Sequence, residues 1–234
     1  MKVLITQSNY IPWKGYFDNL ALADTMVVYD SMQYTKRDWR NRNRIKTKNG
    51  LSWLTIPVMV KGRYDQQIND VKVSDPNWAL NHLNILESNY REAGAYEEVK
   101  EWMRDLYNQC DTPWLTEINQ HFLMEISNFL EISVKLIPDN AFDLNFERTE
   151  RLVSICKNLG ASQYISGPAA KSYMEEEKFD KEGIEIIYSD YRNYPVYDQL
   201  YGPFVHEVSI LDLILHTGDR AKRYLKYTPS VSKT

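Results

Sequence analysis

The sequence predicts an α/β fold on a parallel, Rossmann-like sheet, with a helical segment inserted between its strands. Three observations carry that prediction. Residues 2–6 and 25–29 are short apolar runs joined by an amphipathic stretch, so strand, helix and strand follow within the first thirty residues. A helical connection between two such strands makes them parallel. Further apolar runs at 135–138, 163–166 and 184–188 alternate with helical periodicity, and residues 76–130 read almost wholly with a 3.6-residue period.

Taken in order, the strand at 2–6 runs into polar Gln7, Ser8 and Asn9. Residues 15–23 place Phe17, Leu20, Ala21 and Ala23 on a short helix, and the T-M-V-V-Y run at 25–29 ends at Asp30. Ligands of open parallel sheets sit beyond the carboxyl ends of the strands, which puts residues 7–15, Asp30 and the segment after it on one rim. Asn49-Gly50 is the strongest short hairpin signal, and it predicts a pair of strands at 44–47 and 51–58. Two helical stretches follow, at 76–108 and 112–130. Then come a strand at 135–138, a helix at 147–159 stopped by Gly160, and a strand at 163–166. After G-P-A-A-K-S-Y a helix is expected to Phe179, then a strand, a Tyr- and Pro-rich loop to Phe204, and a closing helix at 209–217. The chain reads as one α/β domain over 1–230 with its helical insertion at about 76–130. A tail at 231–234 is expected to fray, as is the chain from Tyr227 onward.

Composition excludes several classes. With 43% hydrophobic and 26% charged residues the chain has ample capacity for a core. Two cysteines, Cys110 and Cys156, make no disulfide framework, and without a C-x-x-C pair or another ligand cluster no metal site is expected. Cys156 falls on the apolar spacing of its helix and reads as a small core residue. The N-terminal strand is too brief for a signal peptide, and no apolar run reaches membrane-spanning length, so the cytoplasm is the expected location.

The densest chemistry is at 33–47, Q-Y-T-K-R-D-W-R-N-R-N-R-I-K-T. Seven cations fall in the thirteen residues from Lys36 to Lys48 against one anion, Asp38, in a chain of net charge −4. A basic cluster in an acidic protein implies a local anionic ligand, and the overall acidity argues against nucleic acid. Arg40, Arg42, Arg44 and Lys46 alternate, so a strand would carry them on one face. Arg37, Arg40 and Arg42 offer planar forks suited to phosphate. Tyr10, Trp13 and Trp39 can stack on a base or sugar ring, and Gln7 and Gln199 suit sugar hydroxyls. Backbone N–H groups at Ser166-Gly167, where a strand meets a helix, suit an anion.

Three blocks carry a resemblance. Residues 7–17 (Q-S-N-Y-I-P-W-K-G-Y-F), residues 33–43 with Gln33 and Asn41, and the later Y-I-S-G-P with Tyr173, Y-D-Q at 197–199 and S-I-L-D-L at 209–213 resemble the WbqC-like protein family over nearly the whole length. Ser8 stands where relatives are expected to carry proline. The resemblance implies a role in bacterial surface-polysaccharide (O-antigen) biosynthesis, with transfer of a glycyl or other acyl group onto an amino sugar. Pro12-Trp13-Lys14-Gly15-Tyr16 also occupies the loop where HxGH nucleotidyltransferases carry P-x-H-x-G-H, with Trp13 and Tyr16 in place of both histidines.

Acyl transfer to an amine requires a base to take the ammonium proton. His82, in a K-H-L-like position of the resemblance, and Asp30, at a strand's carboxyl end, are the candidates. The expected acceptor is a nucleotide-linked amino sugar. The donor is a carrier-protein thioester, an acyl-adenylate or an acyl-tRNA, with an acyl carrier protein as a possible partner and no other cofactor implied. A non-catalytic module that holds a nucleotide or carrier for another enzyme is the alternative.

Overall fold

The computed structural model describes residues 1–227. Five strands, β1 (Lys2–Thr6), β2 (Thr25–Val28), β5 (Lys135–Pro138), β6 (Gln163–Ser166) and β7 (Glu185–Tyr188), form one sheet in the order β5-β2-β1-β6-β7. Every pairing is parallel, with Leu4 of β1 opposite Met26 on one side and Ile165 on the other. The α/β prediction and the strand positions agree with this architecture.

Both faces of the sheet are covered, which is why its strands read as continuous apolar runs rather than alternating ones. Val3 and Ile5 point to one core, shared with Val27, Tyr164 and helices α5 (Arg148–Asn158) and α6 (Glu176–Asp180). Cys156 lies in that core, and burial pushes its thiol up to about 12. Leu4, Met26 and Val28 point to the larger core on the other face, with helix α1 (Lys14–Leu22) and the segment inserted between β2 and β5.

That insertion begins with a hairpin, β3 (Arg42–Thr47) and β4 (Gly50–Thr55), paired antiparallel with Gly50 at φ 99° in the turn. Helices α2 (Trp78–Tyr90), α3 (Tyr96–Asn108) and α4 (Leu115–Phe129) follow. The stretch expected as one helix over 76–108 is two. The break is a tertiary contact: Ala95 N–H donates to the Leu215 carbonyl at 3.1 Å, and a Cβ at Gly94 would lie 3.2 Å from the His216 carbonyl. The chain there docks onto the last turn of α7 (Ile210–Thr217), whose N-terminus is capped by the Ser209 hydroxyl.

After β6 the expected helix to Phe179 is replaced by a 3-10 turn over Pro168–Ser172 and the short α6. The element that follows Gly167 is that 3-10 turn, so no α-helix N-terminus stands beside Ser166-Gly167. The tail expected at 231–234 lies outside the described residues, as does all the chain beyond Tyr227. Among the described residues no helix is long and apolar enough to cross a membrane.

Candidate functional site

The strand order reverses between β1 and β6, because the chain runs outward from β1 to β2 and β5, then from β6 to β7 on the opposite side. In an open parallel sheet that reversal leaves a crevice beyond the strands' carboxyl ends. A cavity of about 280 Å³ occupies it, walled by the ends of β1 and β6 with Asn9, Trp13, Tyr16, Arg40, Tyr173 and Tyr191. A second, of about 240 Å³, is lined by Pro12, Trp39, Asn43, Arg44 and Glu207 and shares Asn9, Trp13 and Tyr16 with the first. Each is smaller than the roughly 300–1,000 Å³ usual for ligand sites, and together they fall inside that range. A larger hollow of about 630 Å³ between α5 and α6 is less apt, since four of its five charged side chains are already paired as Lys178–Glu150 and Lys157–Glu182, each at 2.9 Å, which leaves only Lys181.

The loop from Gln7 to Trp13 is fixed from beneath. Asp30, wholly buried at the end of β2, accepts from the Ser8 N–H at 2.8 Å, the Ser8 hydroxyl at 2.6 Å and the Thr116 hydroxyl at 2.6 Å. Those bonds tie β1's exit loop to β2 and α4. Tyr16 donates to the Gln7 carbonyl at 2.9 Å. Ile11 sits at φ 36°, the left-handed region that a β-branched residue rarely enters, at a cost on the order of 1–3 kcal/mol. It is held there by complete burial, and by the Ile210 N–H bonded at 2.9 Å to the carbonyl of the next residue, Pro12. The turn presents Trp13, whose indole lies so close over Gly15 that a Cβ there would stand 2.3 Å from the ring. Tyr191 and Tyr194 meet the indole edge-on at 5.0 and 5.8 Å.

The basic segment divides into distinct roles. Arg40 is anchored beside the loop: it donates to the Asn9 side chain and to the Ser8 carbonyl, and lies 3.5 Å from Asp38. Arg42 stacks at 3.9 Å on Trp53 and donates to the Arg37 carbonyl. Arg44 lies over Trp39 at 5.7 Å, and among the described residues its guanidinium has no hydrogen-bond or ion-pair partner, its buried Nε included. The shared cationic face expected for the alternating residues ends at Lys46. That ammonium turns inward, 3% exposed, and donates to Gln199 at 2.9 Å and to the carbonyls of Pro203 and Gly202 at 2.7 and 3.3 Å. The hairpin lies against the 199–203 loop there, and burial wins because three acceptors replace water.

The structure brings Trp13, Arg40, Ser166, Gly167 and Tyr173 together around the larger-volume cavity of the cleft, and Trp13 and Trp39 around the other. Gln7, Gln33, Arg37 and Arg42 line neither; Gln33 donates to the Tyr64 carbonyl at 3.0 Å and Arg37 is exposed at φ 61°. Asn41 is spent inside, accepting from Tyr34 and donating to the Ile56 carbonyl. Gln199 bonds Lys46 and also donates to Asp212 at 2.7 Å, a carboxylate that takes the hydroxyls of Tyr90 and Tyr197 as well.

Tyr10 and His82 belong to the helical core. Tyr10 is wholly buried against Trp78 and Phe122, and its hydroxyl lies 2.8 Å from His82 Nδ1 and 2.7 Å from the Tyr107 hydroxyl. His82 Nε2 is 3.0 Å from the Thr55 carbonyl, which can only accept, so the ring proton sits on Nε2 and Nδ1 accepts from Tyr10. Burial pulls the imidazole down to about 4. His82 and Asp30 line neither cavity.

Asn9, Tyr16, Tyr191 and Glu207 enter the cleft without having been singled out as ligand-binding, and Asn43 and Arg44 enter it as members of the basic, Asn-interleaved run. Asn9 lies inside the first sequence block and Arg44 inside the basic run, so both were within reach. Glu207 carries no local signal.

An open parallel sheet with an aromatic, cationic cleft at its reversal point defines an α/β protein with a switch-point site. The chain belongs to the WbqC-like protein family, whose model it matches over residues 7–224. It is similar to the uncharacterized protein Rv1507c of Mycobacterium tuberculosis, with 45% identity over 226 residues, 97% of this chain and 98% of that protein. No solved structure matches the chain.

Proposed function

We propose that the protein binds a nucleotide-linked amino sugar in the switch-point cleft and transfers an aminoacyl or other acyl group to the sugar amine in surface-polysaccharide biosynthesis. Arg44 carries the reading: an unpartnered guanidinium in a cavity walled by Trp13 and Trp39. A phosphate would supply its missing acceptor in bidentate geometry, and the indoles would take a ring of the same ligand. Arg40, anchored beside Asn9, adds a second positive charge at the rim of the neighbouring cavity.

The supporting test has two stages. Isothermal titration with nucleotide sugars is expected to show binding that Arg44→Ala weakens by about 10- to 150-fold, the equivalent of roughly 1.5–3 kcal/mol for a charge-assisted bond. Incubation with an acyl carrier thioester, an acyl-adenylate or an acyl-tRNA is then expected to yield an amide detectable by mass. No nucleotide-sugar binding would overturn the reading; binding without amide from any of the three donors would overturn its catalytic half. One observation favours the alternative of a binding module serving another enzyme: His82 and Asp30, the candidate bases, are buried outside the cleft with their polar atoms engaged.

A further inference from the structure

Arg44 shares its 240 Å³ cavity with one carboxylate, that of Glu207. Among the described residues neither group has an ion pair, and the Glu207 carboxylate, which is exposed, has no hydrogen bond within the protein. The two residues come from different elements, tied side by side by one backbone bond. Arg44 is on β3, where its guanidinium carbon lies 5.7 Å from the centre of the Trp39 ring and its carbonyl accepts from the Ser209 N–H at 2.8 Å. Glu207 is on the loop leading into α7, two residues before that same Ser209. The buried Lys14 ammonium feels the Glu207 charge but donates to the Pro195 carbonyl at 3.2 Å, within the rings of Tyr194, Tyr197 and Phe204. The cavity therefore holds a negative and a positive pole, neither in an ion pair, beside the indoles of Trp13 and Trp39.

We propose that Glu207 and Arg44 form a two-pole site for a ligand that is itself dipolar: Arg44 takes its phosphate and Glu207 takes its protonated amine. This rests on the reading of the cleft as a nucleotide-sugar site and names the property by which it selects among such sugars. A neutral hydroxyl or amide at the same position can donate to the carboxylate but brings no opposite charge to it, so Glu207 favours the free amine. The cavity volume suits one ring rather than a whole nucleotide, which places the sugar here and the remainder of the ligand in the adjoining cavity beyond Trp13. Acylation requires the bound ammonium first to give up a proton; the neutral amine then forms the C–N bond at the donor's acyl carbon as the donor's thiol, AMP or tRNA hydroxyl leaves and a second proton is lost. The amide product is neutral, so the pole that selects the acceptor does not retain the product.

The test is isothermal titration of the uridine and deoxythymidine diphosphate esters of glucosamine, N-acetylglucosamine and glucose into wild type, Glu207→Gln and Arg44→Ala. Glu207 is exposed, so its glutamine variant is expected to fold as the wild type does. Wild type should prefer the free-amine ligand by about tenfold or more. Glu207→Gln should abolish that preference while leaving affinity for the other two unchanged, and Arg44→Ala should weaken all three together. Equal affinity of wild type for the three sugars, or a preference that survives Glu207→Gln, would overturn the assignment and leave the nucleotide-sugar reading standing. Binding of none of them would overturn both.

Discussion

His82 makes the protein's stability sensitive to mild acid in a way that can be worked out from its surroundings. The ring is 4% exposed, donates from Nε2 to Thr55 and accepts at Nδ1 from Tyr10, so the folded state holds it neutral. Burial lowers it from its ordinary 6.5 to about 4. Because the folded value lies below the unfolded one, the unfolded chain binds the extra proton first. Stability is fully present above pH 6.5 and is lost as the pH falls from 6.5 towards 4. At about 1.4 kcal/mol per pH unit, the loss is about 2 kcal/mol at pH 5 and approaches roughly 3 kcal/mol at and below pH 4.

Other groups titrate over the same range. Asp18 and Asp139 are both raised by burial and contribute with the opposite sign, so wild type alone does not isolate the histidine. The difference between wild type and His82→Gln does, because glutamine can keep the bond to Thr55 without titrating. Urea denaturation at half-unit steps from pH 8 to pH 5 gives that difference directly. The variant should be the less stable protein at pH 8, and the gap should shrink by about 2 kcal/mol by pH 5. With a urea slope of about 2–3 kcal/mol/M, that is a relative midpoint shift of roughly 0.7–1 M. A gap that stays constant across the range would mean that the ring is not held neutral, and would refute the Tyr107–Tyr10–His82–Thr55 chain as drawn.

Three further outcomes follow from the packing. Gly15→Ala should displace the Trp13 indole, lowering stability by about 1–3 kcal/mol in denaturant melts and weakening ligand binding in the cleft. Lys46→Met keeps the stem but strips the charge from three acceptors, and thermal unfolding should show a loss of about 3 kcal/mol, whereas an unchanged melt would mean that water replaces the ammonium. Arg42→Ala, which removes a cation stacked on half-exposed Trp53 outside the cleft, should change stability by less than about 1 kcal/mol and leave nucleotide-sugar affinity untouched.

The sheet was legible because its strands are buried on both faces: Val3, Leu4 and Ile5 all need an apolar partner, and a run of that kind between turn residues has few other readings. The hairpin was legible because Asn49-Gly50 supplies the backbone that its turn demands. The break at residues 91–95 was not, since its cause is the carbonyl of Leu215, more than a hundred residues away, and local periodicity carries no trace of it. The short elements after Gly167 failed for the converse reason. Pro168 at a first helical position and the helix formers Ala169, Ala170 and Lys171 all point to an α-helix, yet the chain leaves helical geometry at Tyr173, φ −137°, and only a 3-10 turn forms.

The placement of the cleft was legible from topology, while its chemistry was only half so. Polar residues inside a strongly patterned block invite a ligand-binding reading, yet Tyr10, Asp30, Asn41 and Gln199 each satisfy a buried group of the protein itself. That division has a physical origin. A loop that must hold Ile11 in a strained conformation and keep Trp13 over Gly15 needs a rigid floor, and only side chains bonded on every side provide one. The residues left over to meet a ligand are those that the floor does not consume, and they are recognisable by unfilled valence rather than by residue type. In the basic run Arg40, Arg42, Arg44 and Lys46 look equivalent by alternation. Their partners separate them: Lys46 has three acceptors, Arg42 a carbonyl and a ring, Arg40 an asparagine and a carboxylate, and Arg44 only an indole. Of these four, Arg44 is the one without an acceptor among the described residues; it lines a cavity with the carboxylate of Glu207, and a ligand that carries a phosphate and an amine is the chemistry that would complete both.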